Sequence, residues 1–132
     1  MSYEVSLYER DFLLHAIANG LGDWSNSPAL RAEAIETVIR AAASVGFVPT
    51  SHPPGLLEYL LAQGDSPSQD FVLNNQQYSA ELQIFRGSIV FIVSTEFPEK
   101  SDASVRLVRE MGINMAKELD LGFIDPQIGE AF

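Results

Sequence analysis

Apolar and polar positions alternate from the start of the chain. Tyr3, Val5 and Leu7 fall on one side of an extended segment and Glu4, Ser6 and Tyr8 on the other, which predicts a half-buried strand over residues 3–8. The period then changes. Phe12, Leu13, Ala16 and Ile17 share one side of a short helix that Asp11 is placed to cap and Asn19-Gly20 to stop. After a polar loop, Ser27-Pro28 is a helix-start signal, because a serine can accept an orphan backbone N–H and proline at the first helical position has none to lose. The helix expected over residues 28–45 carries Leu30, Ala34, Val38, Ala41, Ala42 and Val45 on one face, widened by Ile35 and Ile39, and Gly46 ends it.

Phe47-Val48 has the length of a short strand, and Pro49, Pro53 and Pro54 interrupt regular structure after it. Leu56, Leu57, Leu60 and Leu61 predict a brief helix over residues 55–63, and Phe71-Val72-Leu73 a strand before Asn74-Asn75. The clearest pattern follows. Residues 78–85 and 88–94 alternate around Arg86-Gly87, and a two-residue loop there pairs Ala80 with Val93, Leu82 with Phe91 and Ile84 with Ile89. Arginine is a poor residue for positive φ, so a type I turn at Phe85-Arg86 with Gly87 left-handed competes and would shift the pairing by one residue. The first register is preferred because it buries Phe91. Val90 and Ile92 make the other face of that strand apolar too, as expected for a central strand covered on both sides.

Phe97-Pro98-Glu99-Lys100 reads as a loop, with Ser101 or Asp102 capping a long helix whose stripe is Val105, Val108, Met111, Met115 and Leu119. Gly112 costs that helix about 1 kcal/mol relative to alanine, which points to close packing against a sheet. Residues 121–124 form the last expected strand, stopped by Asp125-Pro126. The order defines an α+β fold: one domain over residues 1–132, a mainly antiparallel sheet of about four to six strands, two long helices and shorter ones packed on it. The hairpin, crossover helix and returning strand over residues 78–123 form its folding nucleus.

Composition narrows the function classes. A chain of 132 residues is long enough for a real core without staples. The absence of cysteine removes disulfides, zinc–thiolate sites, iron–sulfur clusters and thiol nucleophiles. The first residues lack the basic patch, apolar run and cleavage site of a signal peptide, and no apolar run reaches the roughly 18 residues of a membrane span, so a cytoplasmic location is expected. The formal net charge of −10 argues against nucleic acid or an anionic membrane as partner and suits a basic protein. Acidity also simply keeps a protein soluble.

Catalytic patterns are missing. His15 and His52 have no second histidine at helical spacing, so a helical metal site is unsupported. No Gly-x-Ser-x-Gly elbow is present, and Gly20-Leu21-Gly22-Asp23 lacks the third glycine and the lysine of a phosphate loop. Glu81 could pair with Glu96 or Asp125, but acid–base work needs carboxyl groups in an apolar cleft, and a solvated strand face accounts for Glu81. No cofactor is expected. Asp23-Trp24 offers an interface anchor in a polar loop, against the plainer reading of Trp24 as a lid over the helices. Asp23, Trp24, Glu81, Glu96 and Asp125 are the candidate partner-binding residues.

Three pieces carry a resemblance. These are Gly22-Asp23-Trp24 ahead of a helix ending in Gly46-Phe47, the hairpin segment over residues 81–87, and residues 116–127, a helix running into a short strand and Asp125-Pro126-Gln127. The last resembles a C-terminal pattern of small bacterial proteins of uncharacterised or immunity type associated with polymorphic toxins. That resemblance implies a non-enzymatic inhibitor and carries over no catalytic residue. The leading expectation is therefore an acidic inhibitor that docks a basic toxin or enzyme. The alternatives are a dimeric acidic secretion chaperone, which leaves a homodimer open, and an enzyme of unfamiliar type.

Overall fold

A computed structural model of the chain describes residues 2–20, 27–49, 71–94 and 98–132. The expectations for residues 55–63, Asp23, Trp24, His52 and Glu96 lie outside them. Among the described residues the strands are β1 (Ser2–Glu9), β2 (Val48–Pro49), β3 (Phe71–Asn75), β4 (Ala80–Ile84), β5 (Ser88–Ser94), β6 (Leu121–Asp125) and β7 (Glu130–Ala131). The helices are α1 (Arg10–Asn19), α2 (Ala32–Ser44) and α3 (Pro98–Leu119). The strands form one antiparallel sheet in the order β2-β3-β4-β5-β1-β6-β7. The α+β expectation holds. The strand count exceeds it through β7, a two-residue strand too short to show periodicity.

The hairpin register is the expected one: Ala80 pairs with Val93, Leu82 with Phe91 and Ile84 with Ile89, and the Phe85 N–H donates to the Ser88 carbonyl at 2.9 Å. The reason for Gly87 differs from the expected one. Neither Arg86 nor Gly87 is left-handed. The segment 27–28 crosses so close that a Cβ at position 87 would stand 2.8 Å from the Ser27 carbonyl oxygen, and Leu30 N–H donates to the Arg86 carbonyl at 2.9 Å. Glycine serves close approach here.

That crossing also explains why α2 begins at Ala32 and not at Pro28. Residues 27–31 stay outside the helix, reach the hairpin loop and bury Leu30 at 2 % exposure, so a tertiary contact overrides a local start signal. Arg31 then precedes the helix without a side-chain cap. At α1 the cap is Glu9 and not Asp11: β1 runs straight into the helix, and the Glu9 carboxylate accepts from the N–H groups of Asp11 and Phe12 at 3.2 and 2.8 Å. The third correction concerns α3. It starts at Pro98, in a segment expected to be loop, which fits the preference of proline for the first turn.

One face of the sheet carries the core. Val5, Leu7, Leu82, Ile84, Ile89, Phe91, Val93 and Phe123 have no exposure and pack against α2 and α3. The line of α3 closest to the sheet is Ser104, Val108, Gly112 and Ala116, with the expected stripe of Val105, Met111, Met115 and Leu119 flanking it, half-buried. Small residues bring the helix axis close: a Cβ on Gly112 would lie 3.0 Å from the Phe123 ring, as the close-packing expectation required. On the second face, Leu13 of α1 seats against Gly122, which pairs with Tyr8. β5 is central, but the full cover expected on both sides is found on one: Val90 and Ile92 are half-exposed.

Phe91 sits at the middle of this core, so Phe91→Ala is expected to cost about 3–5 kcal/mol in chemical denaturation. Gly87→Ala is expected to cost about 1–3 kcal/mol through the clash with Ser27, although a loop position ordinarily tolerates alanine. Unfolding midpoints equal to that of the parent would contradict the register and the crossing respectively.

Candidate functional site

The unusual chemistry lies where the first strand meets β6. β1 and β6 pair from Ser6↔Ile124 to Glu9↔Leu121, and beyond Ile124 the chain reaches Asp125 on the helix-bearing face. Asp125 has no solvent exposure. The Tyr3 hydroxyl donates to its Oδ2, the Gln127 N–H donates to its Oδ1 at 3.2 Å, and Arg109 Nε of α3 stands 3.7 Å from Oδ2. Arg109 also donates through Nη2 to Glu130 Oε2 at 2.6 Å, on the residue that pairs with Asp125 across β6 and β7. The Gln127 side chain in turn accepts from the Glu4 N–H at 2.6 Å, adding one rung to the β1–β6 ladder.

This arrangement holds protons and charges in place. Burial raises the Tyr3 pKa above its ordinary range, and its hydrogen bond to Asp125 raises it further. A hydroxyl that gives up its proton less readily than usual is the reverse of an activated base or nucleophile. Tyr8 is shifted the same way, by burial first and then by the charge of Glu4.

The five expected partner-binding residues separate. Asp125 is a correction, since a fully buried carboxyl group with three neighbouring donors has no surface to present. Glu81, half-buried on the second face of β4, accepts from Gln83 Nε2 at 2.7 Å. β5 and β1 lie between Glu81 and Asp125, and the two side chains belong to opposite faces, so the suggested pairing of these carboxyl groups does not form. Asp23, Trp24 and Glu96 lie outside the described residues. Tyr3, Arg109, Gln127 and Glu130 were not singled out from sequence. A β6–β7 hairpin would have placed Glu130 opposite Asp125, but Asp125-Pro126 reads locally as an end.

A cleft of about 240 Å³ is lined by Glu9, Ala29, Leu30, Arg31, Asp120 and Leu121. Its polar groups are already engaged: Glu9 caps α1, Arg31 donates to the Leu119 carbonyl at 2.6 Å, and Asp120 pairs with Arg10 at 2.6 Å. His15 is exposed on α1, with the Asn19 amide donating to its carbonyl at 2.8 Å. Among the described residues no group of three His, Cys, Asp or Glu side chains could hold a metal, and no helix is long and apolar enough to cross a membrane. Comparison with protein families, curated proteins and solved structures finds no match.

The raised Tyr3 and Tyr8 pKa values carry a stability consequence. Below about pH 10 both the folded and the unfolded chain keep these phenolic protons; above it the unfolded chain loses them first, so the stabilisation fades as pH rises toward the folded values. Tyr3→Phe is expected to cost about 1–3 kcal/mol at neutral pH and to flatten the alkaline loss of stability. Denaturation at neutral pH and above pH 10 measures both, and an unchanged alkaline slope would contradict the assignment.

Proposed function

We propose that the chain is a non-enzymatic protein-binding module of the cytoplasm, an immunity-type inhibitor whose partner is a basic toxin or enzyme. The observation that carries this reading is the charge: 18 acidic against 8 basic residues, net −10. Much of the acidic excess lies outside the Asp125 cluster on open surface, with Glu4, Glu33, Asp102, Glu110 and Glu118 all exposed. Such a surface attracts a cationic partner across about one Debye length, roughly 8 Å at physiological salt. The resemblance of residues 116–127 to immunity-type proteins supports the same reading. The engaged cleft and the proton-retaining Tyr3 favour binding over catalysis.

Specific affinity needs a desolvated anchor in addition to charge, and Trp24 beside Asp23 is the anchor assigned from sequence. With the partner co-purified from the native host, association is expected to slow as salt rises and on neutralising Glu4, Asp23, Glu81 or Glu96. Trp24→Ala is expected to act mainly on dissociation. Binding kinetics across a salt series test this. An association rate indifferent to salt, with Trp24→Ala changing only fold stability, would remove the basis of the proposal.

A further inference from the structure

We infer that the turn over residues 126–129 is a second, preformed anchor, which presents Ile128 to an apolar socket rimmed by lysine or arginine on the basic partner. This inference rests on the acidic-inhibitor reading and adds a place on the surface. Ile128 is 62 % exposed, the most open large aliphatic side chain among the described residues. A lone exposed aliphatic residue needs no explanation by itself. What distinguishes this one is how firmly its turn is held.

The Gln127 N–H is fixed to the buried Asp125 carboxyl group, and the Gln127 side chain reaches back to the Glu4 N–H of β1. Beyond the turn, Glu130 is tied to Arg109, and Phe123 and Phe132 exchange two backbone hydrogen bonds of 2.7 and 2.9 Å with their rings 5.3 Å apart. Both legs of the turn are therefore anchored in the core. An apolar tip on rigid legs loses little conformational freedom on docking, which is the condition for a strong contact.

Charge selects the occupant. Glu4 is exposed beside the turn, and the Glu130 side chain is 35 % exposed. Arg109, which pairs with Glu130, is also engaged by Asp125. On the adjoining sheet face the row continues as Glu4, Ile92 and Glu81, three paired positions with one aliphatic side chain between two carboxylates. A second copy of a chain with net charge −10 would meet like charge there. A cationic partner meets its complement.

The test uses the full chain and defined probes: an amphipathic peptide of lysine and leucine, one with serine replacing leucine, and one with glutamate replacing lysine. In an NMR titration at low salt, the lysine–leucine peptide is expected to shift the Ile128 methyls and the Glu4 and Gln127 amides. Ile128→Ser should weaken its binding by about tenfold or more, and Ile128→Met should restore it. The serine peptide should bind more weakly and the glutamate peptide not at all. Undiminished binding to Ile128→Ser, shifts confined to another surface, or no binding of the lysine–leucine peptide would overturn the anchor. Undiminished, salt-sensitive binding to Ile128→Ser would leave the acidic-inhibitor reading intact, whereas salt-indifferent association with the co-purified partner would sink that reading instead.

Discussion

A carboxyl group without access to water has to find its partners within the protein, and Asp125 draws them from four elements. Tyr3 comes from the first strand, Arg109 from the long helix, Gln127 from the final turn, and Glu130 is added through Arg109 from the last strand. Burying such a group costs several kcal/mol before its partners offset it, so the cluster adds little net stability. Its effect is on geometry. Side chains alternate along a strand, and a slip of one residue in β6 would turn Asp125 out and Phe123 away from Gly112. The polar cluster and the apolar contact beside it therefore specify one register.

The same logic orders the rest of the molecule. β1 is central because both β5 and β6 pair with it, and α3 spans the return from β5 to β6 over the face where Val5, Phe91 and Phe123 are buried. Ser104, Gly112 and Ala116 let that helix lie low on the sheet. On the other side of the hairpin loop, the crossing at Ser27 and Gly87 ties the approach to α2 to the end of β4.

What could be read from sequence follows from the range of the interactions. The β4–β5 register was legible because a two-residue loop and a strict alternation constrain each other over a few neighbouring residues. The tight approach at Gly112 was legible because a glycine inside a helix is costly without a packing reason. The start of α2 was not, since Ser27-Pro28 carries a sound local signal that a distant loop overrides. Glu9 was passed over as a cap because it belongs to a strand as well. The Asp125 cluster includes a hydrogen bond between residues 122 positions apart, and nothing local in Tyr3 or Arg109 marks them as its members. Asp125 was selected as a partner-binding residue, whereas it lies buried and accepts from the Gln127 N–H in the turn that carries the exposed Ile128.

In the proposed function, an acidic surface and an apolar tip act together, and specificity would depend on a turn kept in place from inside. Amide hydrogen exchange on Asp125→Ala tests that dependence most directly. The account predicts faster exchange at Glu4 and through residues 127–132, while the paired amides of β4 and β5 keep protection set by global unfolding. Unchanged protection at the turn, or a uniform loss across the sheet, would contradict the claim that Asp125 organises this corner of the fold.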